Sequence, residues 1–264
     1  MKITALIENT ASTPEFCCEP GLSLLIETAY NKILFDSGSS IDFAESSRRL
    51  GIDFTKVDIA FLSHGHSDHL GGMEEFLNIN TTASVYAREG FDTPHFNGIG
   101  DDISISKELA EDPRIIRLNR GRTELGRGVT IVSYPTKRAI TSTGSHVMFE
   151  FTNGKPAIDK FLHEHYIIIS ESGRKTIFTG CSHRGVVNIT AWAREDGVTG
   201  VVGGFHIMNV EPSEFDKTLF DTAWGLLDHP CRYWTYTDKA KFDYMKGIMG
   251  DRLNYLAPGD SVTI

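Results

Sequence analysis

Short apolar runs alternate with longer amphipathic stretches along most of the chain. Gly, Asp or Asn bounds most of the apolar runs, which is typical of buried strands. The runs predict strands at KITALIE, LSLLIET, KILFD, DIAFLS, VTIVS, HVMFEF, HYIIIS, KTIFTG and GVVGG. The amphipathic stretches predict helices at SIDFAESSRRLG, GMEEFLN, VVNITAWAREDG, EFDKTLFDTAWGLLDH and KFDYMKGIMG. Ser40 is available to cap the first helix and Gly51 to end it. Each half of the chain thus carries both strands and helices.

The length of the chain allows one large domain or two small ones. It has 264 residues, of which 40% are hydrophobic, so it can bury a sizeable core. No repeat with a period of about 20 to 50 residues divides it. Residues 87–106 mix Gly, Asp, Pro and Asn without periodicity, so we expect a long loop there, with His95 as a solvated loop histidine. We predict a single domain over residues 1–264.

The charge balance argues against nucleic acid as a partner. The formal net charge is −9 at pH 7, which does not favour a general basic surface. The first residues lack the apolar core of a signal peptide, and no stretch supplies about 18 consecutive apolar residues. We therefore expect a cytoplasmic protein that does not bind membranes. The adjacent pair Cys17 and Cys18 lacks the C-x-x-C spacing of a redox or zinc site.

The segment LSHGHSDHLGG places three histidines and an aspartate within six positions, directly after an apolar run. His64 and His66 are two residues apart, so in an extended segment their side chains point the same way and can bind one ion. Asp68 and His69 then face a neighbouring position. Neutral imidazoles suit zinc and related divalent ions, and a carboxylate among them can orient a bound water. The segment predicts a metal site on a strand-to-helix turn, with the helix beginning near Leu70 or Gly71.

These residues resemble a known signature. SHGHSDHLGG is similar to the H-x-H-x-D-H motif of the metallo-β-lactamase superfamily. The resemblance covers most of the chain and implies an α/β (α+β) fold, a four-layered αββα sandwich of two mixed β-sheets with metals at one edge. Upstream, KILFDSGSS is similar to the family's strand ending in Asp-x-Gly, which implies that Asp36 supports a metal-binding histidine. Without the resemblance, Asp36 could be a turn residue before Gly38.

Two downstream segments extend the resemblance. TIFTGCSHRGVVNI is similar to the family's fourth motif, with Cys181 at the position where an aspartate usually bridges two metals. A thiolate could bind a metal, but Cys181 could equally be a small residue packed at a strand end. GCSHRGVVN and VVGGFHI are also similar to a subgroup named for likeness to a dihydropterin ribofuranosyl-aminobenzene phosphate synthase. These segments imply that His183 and His206 are further ligands.

The resemblance implies two divalent ions, with zinc as the first expectation and manganese, iron or cobalt as alternatives. The predicted ligands are His64, His66 and His183 for the first ion, and Asp68, His69 and His206 for the second. FLHEHYIIIS offers His163 and His165, which would share one face of a strand, as substitutes for His183. A histidine pair at the start of a strand is nevertheless more often on the surface.

Such a site implies hydrolysis of a small-molecule substrate by water that the metals activate. Asp68 would bind one metal and orient the water, so it is the predicted catalytic residue. We expect the substrate to be a small ester, thioester, lactone or phosphoester. Two alternatives stay open: a pterin-linked transferase that joins a dihydropterin to an arylamine ribose phosphate, and a metal-bound sensor without turnover.

Two departures from the subgroup bear on the substrate. Arg184 stands where a small residue is common, and its guanidinium could bind a substrate phosphate or carboxylate. Alternatively, Arg184 is a solvent-exposed residue at the start of a helix. The subgroup's His-Cys-Thr-Gly segment corresponds to YWTYTDKA, where residues 235–238 carry no histidine. This difference weakens the transfer of the exact pterin substrate.

Overall fold

The computed structural model describes residues 1–11, 13–134, 147–207, 215–235 and 239–264. The strands are β1 (Lys2–Ile7), β2 (Ser23–Glu27), β3 (Lys32–Phe35), β4 (Ile59–Phe61), β5 (Ser84–Arg88), β6 (His95–Phe96), β7 (Ile115–Leu118), β8 (Arg122–Gly126), β9 (Val129–Val132), β10 (Phe149–Thr152), β11 (Lys155–Ile158), β12 (Tyr166–Glu171), β13 (Arg174–Phe178), β14 (Gly200–Val202), β15 (Arg232–Thr235), β16 (Leu253–Tyr255) and β17 (Ser261–Thr263). The helices are α1 (Asp42–Arg49), α2 (Ser67–Leu70), α3 (Met73–Ile79), α4 (Lys107–Ala110), α5 (Val186–Glu195), α6 (Phe220–Leu227) and α7 (Lys239–Met249).

Two seven-stranded sheets contain most of these strands. The first sheet has the order β17-β1-β2-β3-β4-β5-β7, and the second has the order β16-β15-β14-β13-β12-β9-β8. Both sheets are mixed, with β3 to β5 and β7 parallel in the first and β13 to β16 parallel in the second. A small sheet with the order β11-β10-β6 stands beside them.

The two large sheets pack face to face through an apolar layer. Successive residues of a strand point to opposite sides, so Ile33 and Phe35 of β3 face this layer while Leu34 faces away from it. Phe35 also contacts Phe178 of the second sheet, with 6.2 Å between ring centroids. Strands that are buried on both faces read as continuous apolar runs, which is why the hydrophobic pattern identified them.

Helices cover the outer face of each sheet. Phe43 of α1 and Phe76 of α3 pack in the cluster outside the first sheet. Ile189 of α5, Leu226 of α6 and Met245 of α7 pack in the corresponding cluster outside the second sheet. The layers are therefore helix, sheet, sheet and helix, and the predicted αββα sandwich is confirmed. None of the helices in the described ranges is both long enough and apolar enough to cross a membrane.

Each predicted strand overlaps an observed one, although some strands escaped prediction. SVYAR of β5, IIRL of β7 and RYWT of β15 are short and carry arginine, so they lack a clear apolar run. The expected role of Ser40 is partly corrected. Ser40 Oγ accepts the N–H of Asp42, but Ile41 occupies the cap position of α1. Gly51 follows the end of α1 with a φ of 67°, as expected of a residue that ends a helix.

Strand ends from both sheets meet at one edge of the sandwich. Asp36 directly follows β3, and His64 lies three residues beyond β4. In the second sheet, Cys181 follows β13 and His206 follows β14. Because the members of each pair of strands are parallel, their carboxyl ends lie side by side. The topology therefore collects side chains from distant parts of the sequence.

Candidate metal centre

The H-x-H-x-D-H segment runs from the end of β4 into α2. The backbone of His66 is extended, and its carbonyl accepts the N–H of His69, so the helix begins at Ser67. The sequence predicts a helix start near Leu70 or Gly71; α3 begins at Met73, and the short helix α2, which was not predicted, precedes it. His64, His66 and His69 are buried, whereas the Asp68 side chain is 36% exposed. The carboxylate is thus the ligand candidate that solvent reaches most readily.

Asp36 organises two of these histidines. Its Oδ2 lies 2.6 Å from Nδ1 of His69, and it also accepts the Ser63 hydroxyl at 2.6 Å. Since the Ser63 hydroxyl hydrogen is given to Asp36, Ser63 Oγ accepts from Nδ1 of His64 at 2.8 Å. Both rings therefore carry a proton on Nδ1 in this network, so Nε2 is the nitrogen that each ring leaves for a metal. Imidazole binds divalent metals through such a lone pair.

Several close sets of donor atoms include these nitrogens. In each set, one donor atom from every residue lies within 4.8 Å of the others. The sets are His64, His66 and His183; His64, His69 and Cys181; Cys181, His183 and His206; and His66, His95, Asp159 and His163. The first three overlap in His64, His183 and Cys181, so they describe one continuous donor cluster, and the fourth shares only His66 with it. Asp68 stands beside this cluster, with its Oδ2 3.9 Å from Nε2 of His69.

The close approach of two loops makes this cluster possible. A Cβ at Gly180 would lie 2.2 Å from Oγ of Ser63 and 3.0 Å from Nδ1 of His64. Any larger residue at position 180 would collide with the loop that carries His64. The segment after β13 can therefore lie against the segment after β4 only because glycine stands there.

Cys181 lies inside the donor cluster. Its sulfur is 3.0 Å from Nε2 of His69, the nitrogen that Asp36 leaves available. Burial raises the pKa of the Cys181 thiol, so the thiol alone does not favour ionisation. A bound divalent cation would reverse that preference, because coordination lowers the pKa of a thiol. The geometry thus suits a metal-bound thiolate at the position where the resemblance implies a bridging group.

His183 and His206 complete the cluster from the second sheet. Nε2 of His183 lies 3.3 Å from Nε2 of His64, and the rings of His183 and His206 are 4.3 Å apart. Glu164 fixes the backbone at this point, because its buried carboxylate accepts the N–H groups of His183 and Arg184. The structure therefore brings the predicted downstream histidines to the upstream motif. Their role as ligands stays a prediction.

The electrostatics of the cluster fit a cation. Burial, followed by the charges of neighbouring histidines, lowers the pKa of His64 and His183 well below the ordinary value, and burial lowers the pKa of His206 to about 4. These rings are therefore neutral near pH 7 and can bind a metal. Burial also acts to lower the pKa of His69, but the charges of Cys181, Asp68 and Asp36 outweigh it and raise that pKa well above the ordinary value. A position that favours a proton this strongly also favours a metal cation.

The structure corrects the predictions for three other histidines. His95 is buried, not solvated, because the small sheet pairs its strand with β10. His163 and His165 are also buried, so the expectation of a surface pair is wrong. They do not share a strand face, since β12 begins only at Tyr166. His163 contacts Gly65, whereas His165 donates from Nε2 to the carbonyl of Leu62 at 2.6 Å.

Arg184 is 1% exposed, so the alternative of an exposed arginine at a helix start is wrong. Its guanidinium donates to the carbonyl of Tyr134 at 2.8 Å and lies over the ring of Trp192. Substrate binding by Arg184 stays a prediction. Of the YWTYTDKA segment, Thr235 ends β15, and residues 236–238 lie outside the described part of the chain.

Comparisons with known proteins agree with this geometry. Residues 18–184 match the family model described as the metallo-beta-lactamase superfamily. The chain is 28% identical to 7,8-dihydropterin-6-methyl-4-(beta-D-ribofuranosyl)-aminobenzene-5'-phosphate synthase of Methanocaldococcus jannaschii, over 83% of this chain and 82% of that protein. It is 26% identical to an uncharacterized protein of the same organism, over 82% of this chain and 84% of that protein.

A solved structure has the same fold. The crystal structure of Tm1679, described as a metal-dependent hydrolase of the beta-lactamase superfamily, superimposes with a TM-score of 0.83. The match covers 100% of this chain and 99% of that chain at 24% sequence identity. The matched family model spans both the H-x-H-x-D-H segment and the Cys181 loop. The chain therefore belongs to the metallo-β-lactamase superfamily.

Proposed function

We propose that this chain is a metal-dependent hydrolase of a small ester, thioester, lactone or phosphoester. One observation carries the proposal: the partly exposed carboxylate of Asp68 stands beside a buried cluster of histidines. A purely structural metal site is closed on all sides by protein ligands, whereas a catalytic site keeps an open position. The exposure of Asp68 supports the catalytic kind of site.

The donor cluster is large enough for two ions. His64, His66 and His183 form one close donor set and would hold the first ion. Asp68, His69 and His206 would hold the second, with Cys181 between the two sets of ligands. When bound there, divalent ions polarise the scissile bond and make water a stronger nucleophile at neutral pH. Zinc suits the imidazole and thiolate donors best, and manganese, iron and cobalt are the alternatives.

The chain's own residues then orient the reactants. Asp68 accepts a hydrogen bond from the attacking water and directs it at the substrate. Asp36 holds His69 and, through Ser63, His64 in fixed orientations. Because these supports are buried, the donor geometry is set before substrate arrives, which reduces the reorganisation that the reaction requires.

Metal analysis followed by an activity panel tests this function. The purified protein is stripped with a chelator, reloaded with one metal at a time, and assayed with phosphodiesters, carboxylic esters, thioesters and lactones. We expect hydrolysis of at least one class that disappears with the chelator and returns with the metal. Full metal occupancy without turnover of any class would contradict the proposal and favour a metal-bound sensor.

A second candidate is the pterin-linked transferase, favoured by the similarity to the archaeal synthase. In that reaction a bond forms between the dihydropterin methyl carbon and the arylamine ribose phosphate. The carbon–oxygen bond to pyrophosphate breaks, and a proton leaves the arylamine. The assay is pyrophosphate release from the pterin pyrophosphate, which depends on the arylamine for a transferase and does not for a hydrolase.

A further inference from the structure

Asp159 is a buried carboxylate at the centre of three histidines. It directly follows β11, and its Oδ2 lies 3.0 Å from Nδ1 of His95 and 3.1 Å from Nε2 of His163. The same oxygen lies 3.9 Å from Nε2 of His66, a member of the donor cluster. Its other oxygen accepts the N–H of Phe161. Nothing in the sequence motifs pointed to this residue.

The hydrogen bonds of His163 determine where its proton lies. Nδ1 of His163 accepts the backbone N–H of Gly65 at 2.9 Å, so Nδ1 carries a lone pair. Nε2 must therefore carry the hydrogen and donate it to Asp159. Both ring nitrogens of His163 are thus used by protein partners. His163 fixes the residue between His64 and His66 and is itself fixed by Asp159.

His95 supports the same carboxylate from the small sheet. Its Nδ1 donates to Asp159, and its strand pairs with β10. Burial alone would favour a neutral carboxylic acid, but the hydrogen bonds from His163 and His95 and the nearby imidazole of His66 outweigh it and hold the pKa of Asp159 far below its usual range. Asp159 is therefore negatively charged, and His66 is a third histidine beside it, at 3.9 Å.

His66 lacks the support that His69 has. Its Nε2 is buried and has no hydrogen-bond partner among the described residues, because 3.9 Å is too long for a hydrogen bond to Asp159. By contrast, His69 and Asp36 are already 2.6 Å apart. A histidine that binds a metal through one nitrogen usually donates from the other to a carboxylate, which fixes its ring. Asp159 is the carboxylate that faces His66.

We propose that Asp159 is a positioning residue that orients His66 for metal binding, held in place by His95 and His163. Asp36 and Asp159 then serve opposite ends of the H-x-H-x-D-H segment, one through His69 and the other through His66. The inference rests on the proposed metal site. It also separates two roles within the set of His66, His95, Asp159 and His163, because only His66 would bind a metal.

The test compares zinc affinity, measured by competition with a chromophoric chelator, in wild type and variants. Asp159→Asn keeps the size of the side chain and removes its charge, and we expect a loss of about 10-fold to 100-fold in the affinity of one ion. Asp159→Glu should recover part of that loss, because it restores the charge. Glu150→Gln, on the neighbouring strand, is the control for charge and should leave zinc affinity unchanged.

A second measurement does not depend on metal. Ring-nitrogen NMR of the chelator-treated protein should show a hydrogen on Nε2 and a lone pair on Nδ1 for His163, and a changed His163 spectrum in Asp159→Asn. Wild-type zinc affinity in a folded Asp159→Asn protein would overturn the inference and leave the proposed function intact. A third zinc ion that His95→Gln removes would also overturn it, since His95 would then be a ligand. If the wild-type protein binds no metal at all, the proposed function is wrong, and the inference about Asp159 is overturned with it.

Discussion

Asp36 holds His69 directly and His64 through Ser63. Its Oδ2 lies 2.6 Å from Nδ1 of His69, and it also accepts the hydroxyl of Ser63, whose oxygen is 2.8 Å from Nδ1 of His64. One buried carboxylate therefore determines which nitrogen of two histidines is available to a metal. Its position immediately after β3 explains why the end of this strand matters to a site formed mainly by other segments.

Asp36→Asn should weaken metal binding and destabilise the fold. An amide accepts fewer hydrogen bonds and turns a donor toward groups that are themselves donors, so at least one buried partner is left unsatisfied. We expect metal affinity to fall by about 10-fold to 100-fold. Chelator competition and urea unfolding measure the two effects. Asp53→Asn, an exposed aspartate that accepts from Thr55, should leave metal affinity as in wild type.

Asp68→Asn should remove turnover while the fold survives. The change keeps the shape of a side chain that is 36% exposed, but it removes the negative charge beside His69. Loss of orientation and of charge should each lower the rate by about 10²-fold or more. The measurement is kcat on whichever substrate the panel identifies, with metal content determined in parallel. Glu75→Gln on α3 is the matched control. Retained activity at full metal occupancy would refute the catalytic role of Asp68.

Cys181→Ser should lower the affinity of the donor cluster for zinc. The sulfur lies 3.0 Å from Nε2 of His69 and belongs to two donor sets, so its replacement removes a soft ligand that zinc prefers. Cobalt substitution reports the change directly, because thiolate coordination gives a charge-transfer band that serine cannot supply. Cys231→Ser, a buried thiol elsewhere, should keep the band. If both variants keep it, Cys181 is a packing residue.

Gly180→Ala should disturb the site through crowding. The added Cβ would lie 2.2 Å from Oγ of Ser63, so the loop after β4 must move. We expect a loss of about 1–3 kcal/mol in the free energy of unfolding and weaker metal binding. Gly247→Ala on α7, whose added Cβ would meet nothing within 4 Å, is the control and should not weaken either. Equal stability and affinity in both variants would contradict the close contact between the two loops.

The metal-free protein should lose stability as pH falls, and His165 should account for part of the loss. Burial lowers the pKa of His165 to about 3, below its value in the unfolded chain. Its contribution to the free energy of unfolding is therefore fully present above about pH 6.5 and is lost as pH falls toward 3. By pH 5 the loss is about 2 kcal/mol. His165→Gln keeps a donor for the Leu62 carbonyl but does not titrate, so its stability should fall less. Unfolding curves of wild type and His165→Gln at pH 7 and pH 5, with chelator present, measure the two losses of stability. Equal losses in the two proteins would contradict the role of His165.

The sequence predicted the fold and much of the donor cluster for identifiable reasons. Strands buried on both faces, such as β3 and β12, appear as apolar runs, and the H-x-H-x-D-H segment is specific enough to imply the sandwich. The same resemblance led to His183 and His206, which the structure places beside the upstream motif. His64 and His66 were predicted from their spacing, although the structure has a bend at residues 64–65 and not the extended segment that the prediction assumed.

Other parts depend on contacts that no local pattern encodes. His95 stands in a polar segment, and only the pairing of its strand with β10 buries it. The alternation expected for His163 and His165 fails because the chain turns before β12, with Phe161 at a φ of 51°. Asp159 has no motif of its own, since its partners come from three separate segments of the chain. Such a residue can be found only once the fold is known.

The 3.3 Å contact between His64 and His183 joins residues that are 119 positions apart. A donor pair so distant in sequence requires both sheets to be in place, so we expect the metal site to be completed late in folding. Added zinc should then leave the refolding rate nearly unchanged and slow unfolding, because the contacts between zinc and its ligands would be absent from the transition state for folding. Stopped-flow refolding and unfolding with and without zinc measure the two rates. In a cell, bound metal would therefore prolong the lifetime of the folded protein by slowing its unfolding, without speeding its folding.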